Sequence, residues 1–408
     1  MKKNKKKQLH IFWLHTHFLY WMGGTKFIYE VIKILSKKFR ITIIVENTSI
    51  EAMDNYSKLD VQLLSLNKLT STSLIYWLTL PIQIVWENIA ILRLANSSLE
   101  LGEKPIIVSN MFPMNVVGNY LAAKTQSRHI QYIFEPFAFF HDQDFISNFP
   151  IFKRFLIRSL SLTYKKMDIK ATKKTTSTIT LNQTTAKYIR EIFGVNPAIS
   201  YAGINTDHFK PFASSALKKK YKGKQVVVHS TDYSPVKGTD KMIKIFALVK
   251  KKVPSAHLII TSTIKNPKAE QKLRNLASEL KLESSVEFLG FVDYHILPQL
   301  YSLAKVLVQC SYSERSGTTS MALPVKEALS CGTLAVRYPV KNEDVVDGVT
   351  GHLVDPRDTG KMVKAIVKVM KMDTNKYQQA SRKARKSIVN KFSWKNTAES
   401  IQDLFYNK

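Results

Sequence analysis

Short apolar runs alternate along the chain with longer stretches whose apolar residues fall at helical spacing. Residues 8–14 (QLHIFWL) predict a first buried strand, residues 28–39 (IYEVIKILSKKF) a helix, and residues 40–47 (RITIIVEN) a second strand. Further strands are expected at 61–65, 106–109, 129–134 and 177–182, the last running into a helix over 183–194. The second half repeats the alternation. A strand at 225–229 leads to a helix at 239–252, then come strands at 257–262 and 286–292, and residues 300–309 combine a helix end with a strand. A short helix is expected to start near Pro324, whose fixed φ suits a first helical position, and to stop at Gly332 before a strand at 333–336. Strand–helix alternation in two halves predicts an α/β protein of two doubly wound, Rossmann-like domains facing across a cleft.

In such folds ligands bind where the loops leave the carboxyl ends of the strands. Three loops carry suitable residues. Gly23 and Gly24 follow the first strand and would let the backbone approach a phosphate at the start of the next helix. Lys237 and Gly238 precede the helix at 239–252, where an ammonium offers a point charge to a phosphate. Glu327 is expected in the first turn of the helix that starts near Pro324.

Composition and charge narrow the classes. With 408 residues and 45% hydrophobic content the chain is globular and long enough for two or three domains. The net charge of +30 predicts attraction to polyanions: an anionic membrane, nucleic acid or a phosphorylated substrate. No helix-turn-helix, zinc or RNA-binding signature accompanies the charge, so no nucleic-acid partner is expected, and no metal-ligand spacing appears. The two cysteines, Cys310 and Cys331, fit as small buried residues of a reducing compartment. The lysine-rich start reads as a basic tail and not a signal peptide. Residues 69–86 lack charged side chains and fit three roles, a spanning helix, a helix packed on the sheet, or a membrane-surface helix. Residues 145–190 interleave lysines and arginines with Phe149, Phe152, Phe155, Leu156 and Leu160, which reads either as a membrane-binding face or as a solvated helix face.

The stretch 311–355 resembles the nucleotide-sugar signature of retaining GT-B glycosyltransferases of the group 1, family-4 class. There the pattern is roughly Glu-x-x-Gly-x-Pro-x-x-Glu-Ala-x-x-x-Gly-x-Pro-Val, followed by Gly-x-x-Gly-x-Leu-Val. Pro324, Glu327, Ala328, Gly332 and Val336 match it, then Asp347, Gly348, Gly351, Leu353 and Val354. The first glutamate of the pattern falls on Thr319; Glu314 is the nearest upstream carboxylate. Residues 203–211 resemble the segment that closes the first domain, 231–238 the diphosphate loop with Lys237 and Gly238 matching and Asp232 in place of an arginine, and 286–292 the loop lining the base pocket, with Val292 at its end. Residues 134–137 resemble a His-Glu-Pro-Phe motif in which Phe134 replaces the histidine.

The resemblance implies transfer of a sugar from a nucleotide-sugar donor, with retention, to a glycan or lipid-linked acceptor. The nucleotide sugar would be a co-substrate, without a separate cofactor or metal. It implies donor-binding roles for Gly23, Gly24, Lys237, Gly238, Val292, Thr319 and Glu327, the last on the ribose hydroxyls. Thr319, His141 and Glu135 are the catalytic candidates. It also implies domains at 1–208 and 209–390, with a C-terminal helix at 391–408 returning to the first. A cytoplasmic enzyme, peripheral on the inner face of an anionic membrane, is the matching location. The alternative is a non-catalytic GT-B binding subunit with a degenerate donor site.

Overall fold

A computed structural model describes residues 9–21, 23–71, 73–99, 103–147, 149–212, 214–311, 321–340 and 343–406. The chain divides into two units. One comprises residues 1–201 together with 394–408, and the other residues 202–393.

The first unit is built on strands β1 (His10–Phe18), β2 (Arg40–Thr48), β3 (Gln62–Ser65), β4 (Ile106–Ser109), β5 (Arg128–Ile133), β6 (Ser177–Thr180) and β7 (Ala198–Ile199). They form one parallel sheet in the order β3-β2-β1-β4-β5-β6-β7. Its helices are α1 (Gly23–Leu35), α2 (Ile50–Tyr56), α3 (Leu74–Ser98), α4 (Met114–Thr125), α5 (Ala138–His141), α6 (Gln143–Ser147), α7 (Ile151–Lys173) and α8 (Gln183–Phe193). Strand order reverses beside β1, so the loop carrying Gly23 and Gly24 opens at the switch point. Strand β1 runs past the expected residue 14, because His15 is buried and takes part in the strand. Burial holds its imidazole neutral by pushing its pKa down to about 3, so the ring is buried without a charge.

The second unit contains β8 (Gln225–Thr231), β9 (Ala256–Ser262), β10 (Val286–Phe291), β11 (Val306–Val308), β12 (Leu334–Arg337) and β13 (Gly351–Leu353), parallel in the order β10-β9-β8-β11-β12-β13. Its helices are α9 (Ser215–Lys220), α10 (Thr239–Lys252), α11 (Pro267–Glu279), α12 (Leu297–Leu303), α13 (Leu323–Ser330), α14 (Thr359–Met370) and α15 (Thr374–Lys391). The last helix, α16 (Trp394–Tyr406), belongs to the first unit, where Trp394 meets Phe27 of α1 at 5.5 Å and Phe405 meets Phe39 at 5.5 Å.

The central strands of both sheets are apolar on both faces, as strands covered by helices on either side must be. Val226–Val228 and Leu258–Ile260 are essentially sealed from solvent. Each such side chain contributes about 1.5–3 kcal/mol of burial, more than the roughly 1 kcal/mol of a helix cap such as Asn182 on α8. Burial of the strand faces thus outweighs local capping in holding each unit together.

The division at 201/202 falls ahead of the expected 208/209. Residues 202–211 are fastened to the second unit: Ile204 N–H donates to Phe392 O (2.8 Å), Lys326 Nζ to Ala202 O (2.9 Å) and Ser330 Oγ to Phe209 O (2.5 Å). The later division falls at 393/394, beyond the expected 390/391, because Ser393 pairs with Ile204.

Candidate functional site

In the second unit the strand order reverses between β8 and β11. The segment after β8 turns sharply. Asp232 accepts from Ser234 N–H (2.9 Å) and Ser234 Oγ (2.5 Å), Pro235–Lys237 make one 3-10 turn, and α10 begins at Thr239. Gly238 has φ +62°, and a Cβ there would lie 2.7 Å from Cys310 O just past β11. Only glycine serves both the left-handed backbone and the close approach. The diphosphate-type loop is therefore seated directly on the end of the neighbouring strand.

A buried polar chain holds that loop from below. His229 Nδ1 is 2.9 Å from Val308 O. A carbonyl only accepts, so Nδ1 carries the proton and Nε2 accepts from Thr239 Oγ1 (3.1 Å), which is 2.8 Å from Thr231 Oγ1. Burial pushes the His229 pKa down to about 4 and keeps the ring neutral. β8, β11 and the first residue of α10 are thus locked together beneath Lys237.

Lys237 is four-fifths buried, with its Nζ 3.7 Å from Asp232 Oδ2. The carboxylate that stands where an arginine was expected is therefore the lysine's own ion-pair partner. A phosphate arriving at Lys237 would compete with it.

Helix α13 follows β11 and starts at the same edge. Its N-cap is Ala322, held at φ 41°, ψ 45°, a left-handed conformation that costs a non-glycine residue about 1–2 kcal/mol. Ala322 stands where the glycosyltransferase pattern has its first glycine, which gives that glycine a backbone reason. Glu327 lies in the second turn of α13, not in the first as expected, because the helix begins at Leu323 and carries no acidic residue in its first turn. A role in neutralising the helix terminus is correspondingly weak there, since that effect fades within one turn. The Glu327 carboxylate is half-buried and accepts from Tyr301 Oη of α12 at 3.4 Å.

Val292 sits just beyond β10, whose register shifts between Phe288 and Gly290. Tyr233 of the β8 loop donates to Glu270 Oε2 (2.5 Å) of α11, which also lies beside Gly290. The loops of β8 and β10 are therefore linked along one edge of the sheet. Thr319, like Glu314, lies outside the described residues.

In the first unit Gly23 and Gly24 open α1, and Gly24 faces Phe134 at the end of β5, with 3.8 Å from a Cβ position on Gly24 to Phe134 Cε2. Phe134 also packs edge-on against Phe27 (5.1 Å). The residue standing where the motif has histidine is thus a wall of the α1 entrance. Glu135 follows it, half-buried, in a bend after β5. His141 is drawn the other way. It is buried, with Nε2 3.2 Å from Asp168 Oδ2 of α7, while Asp168 Oδ1 accepts from Asn115 of α4 (2.8 Å). This fastens α5 to α7 and α4.

Several residues escaped the pattern reading. Lys326, next to Glu327, is fully buried. Its pKa is pushed down to about 7 by burial, and its Nζ ties α13 to Ala202. Nearby Arg337 and Asp344 form a buried ion pair of 2.5 Å. A lysine in a helix carries no sequence signal of burial. Tyr301, His229 and Thr239 act through neighbours distant in sequence, so only the fold reveals them.

Residues 213–387 match the family described as Glycosyl transferases group 1. That stretch is where the chain is similar to the group 1 family. It carries the β8 loop, Val292 and Glu327. Among curated relatives, D-inositol 3-phosphate glycosyltransferase of Mycobacterium tuberculosis is 26% identical over 229 residues, spanning 53% of this chain and 45% of the relative. The chain thus aligns with less than half the length of that relative. Among solved structures, a glycosyltransferase from Rickettsia africae ESF-5 superposes with TM-score 0.76 at 15% identity over 98% of each chain. An Anabaena protein crystallised with UDP and glucose superposes with TM-score 0.72 at 18% identity, over 97% of this chain and 99% of that one. These likenesses extend the GT-B fold to both units of the chain.

Proposed function

We propose that this chain transfers a sugar from a nucleotide-sugar donor, with retention of anomeric configuration, to a glycan or lipid-linked acceptor. One observation carries the reading. Lys237 with Gly238, and α13 with Glu327, leave the carboxyl ends of the two strands between which the order reverses. Negative charge develops on the departing diphosphate. Lys237 and the amides at the start of α10 meet that charge, and Glu327 accepts hydrogen bonds from the ribose hydroxyls. Gly23 and Gly24 remain donor-binding candidates, and Glu135, His141 and Thr319 remain the catalytic candidates. The Anabaena neighbour's UDP makes UDP-sugars the first donors to test. The nucleotide sugar is a co-substrate, and no further cofactor is invoked. Two buried free thiols, Cys310 and Cys331, suit a reducing, cytoplasmic setting.

The ion pair between Asp232 and Lys237 favours a second reading, a binding subunit that holds a nucleotide without turning it over. Donor hydrolysis followed by proton NMR separates the two. With an α-linked UDP-sugar, retention predicts that the α-anomer appears first, and Glu327→Ala should lose about 2–3 kcal/mol, roughly 30- to 150-fold in kcat/KM. The β-anomer first would overturn retention. Donor binding with no turnover, also when acceptor sugars are supplied, would favour the binding subunit.

A further inference from the structure

Helix α3 divides into two faces. Tyr76, Leu80, Ile84, Glu87, Ile91 and Ala95 form the buried one. The opposite face presents Leu74, Ile75, Leu78, Ile82, Val85, Trp86 and Ile89, each 44–73% exposed. At 100° per residue these seven fall within about one third of the helix circumference, and from Leu74 to Ile89 the stripe is roughly 22 Å long. No charged side chain interrupts it, and Arg93 closes its far end. Isolated exposed apolar residues need no account, but a continuous stripe of this size marks an interaction surface.

The helix is long and apolar enough to cross a bilayer, yet its inner face is fixed to the unit. Tyr76 Oη donates to Glu46 Oε1 of β2 (2.6 Å), and Lys68 Nζ to Glu87 Oε1 (2.6 Å). Spanning would pull this cluster out of the core, so the stripe is presented in the plane of the surface.

Positive charge lies next to it in the same unit. Tyr164 Oη of α7 donates to Trp77 O of α3 (2.7 Å). A chain of rings runs from Trp77 to Phe139 (6.3 Å) and on to Phe149 (5.9 Å), where Lys153 Nζ stands 4.3 Å above the ring. Beyond it α7 exposes Ile151, Phe152, Phe155 and Leu162 among Lys153, Arg158, Lys165 and Lys166. An apolar stripe joined to a basic, aromatic helix matches an anionic lipid surface, with acyl chains for the stripe and headgroups for the lysines and arginines. A protein groove complementary to the stripe alone would leave the basic helix unexplained.

We propose that the first unit docks on anionic bilayers, α3 lying in the interface with its Leu74–Ile89 stripe immersed and α7 supplying cationic contacts. The proposal is independent of the donor reading, because docking is measured without nucleotide or acceptor.

The test is co-sedimentation of the full chain with phosphatidylcholine vesicles, with and without 30% phosphatidylglycerol, at low and at physiological salt. Binding should require the anionic lipid, weaken with salt, and bring a blue shift of tryptophan emission absent from Trp86→Phe. Arg158→Glu with Lys166→Glu should weaken binding by roughly fivefold or more per charge. Ile82→Gln with Val85→Gln should leave salt-dependent adsorption but abolish the blue shift. All these sites are exposed, so unchanged melting temperatures verify folding. Absence of binding to anionic vesicles at low salt would overturn the proposal. So would a dimer in sedimentation velocity that Ile82→Gln with Val85→Gln dissociates, since the stripe would then belong to a second copy.

Discussion

Asp232 is the residue that most limits the proposed donor loop. Its carboxylate shapes the turn through Ser234 and at the same time occupies Lys237. Asp232→Asn keeps the turn's acceptor and removes the competing charge. A partly exposed pair of this kind is worth about 0.2–1 kcal/mol. Asp232→Asn is therefore expected to tighten binding of a nucleoside diphosphate up to about fivefold in isothermal titration, and Lys237→Ala to weaken it. A looser complex in Asp232→Asn would mean that the carboxylate itself contacts the ligand. At the head of α13, Ala322 holds a left-handed backbone without being glycine. Ala322→Gly removes about 1–2 kcal/mol of strain but restores up to about 1 kcal/mol of unfolded-chain entropy. A net gain of about 0.5–1 kcal/mol in urea unfolding is expected, and a loss would show that the Ala322 methyl packs more than it strains.

Among the elements, α3 depends on a buried acid pair. Glu46 on β2 and Glu87 on α3 share one ammonium, Lys68. Burial first, and the charge of Glu87 second, push the Glu46 pKa up to about 9 from an ordinary 4.5. Glu46 thus holds its proton at pH 7, while Glu87, its pKa also raised by burial, is pulled back by its partner Lys68. The folded state holds a proton that the unfolded chain releases above pH 4.5, so this contribution is fully present below 4.5 and lost as pH rises towards 9. Unfolding free energies from pH 6 to 9.5 should fall with pH in the native chain and fall less in Glu46→Gln. An equal slope in both would place the pH dependence elsewhere. The apolar composition of α3 was plain in the sequence, and three roles for it were open. The partners that decide among them, Glu46 and Lys68, belong to other elements, and no local pattern joins them to Glu87. The strand runs were legible because both faces of central strands are buried, so continuous apolar stretches mark them. The end of β1 was not, since His15 carries a polar name but is neutral and buried in its setting.

At the scale of the whole molecule, the two parallel sheets and the edge of the second one follow from strand–helix alternation and a few glycines. Gly238 was legible as a loop residue, and its contact with Cys310 O supplies the physical reason. Lys237 and Glu327 were named through the match to the glycosyltransferase pattern. The residues that position them, His229, Thr239 and Tyr301, were not, because their work lies between strands and helices distant in the chain. Sequence spacing placed Glu327 in the first turn of its helix, and a helix start one residue earlier, at Leu323, puts it in the second. The central claim is a working donor site on the second unit, and thermal melting with a panel of UDP-, GDP- and ADP-sugars tests it most directly. At about 100 times its dissociation constant a donor adds roughly 2.7 kcal/mol, a readily measured rise in melting temperature. The account predicts a rise with one nucleotide class that disappears in Glu327→Ala. No rise with any nucleotide sugar, or a rise that Glu327→Ala leaves intact, would contradict it.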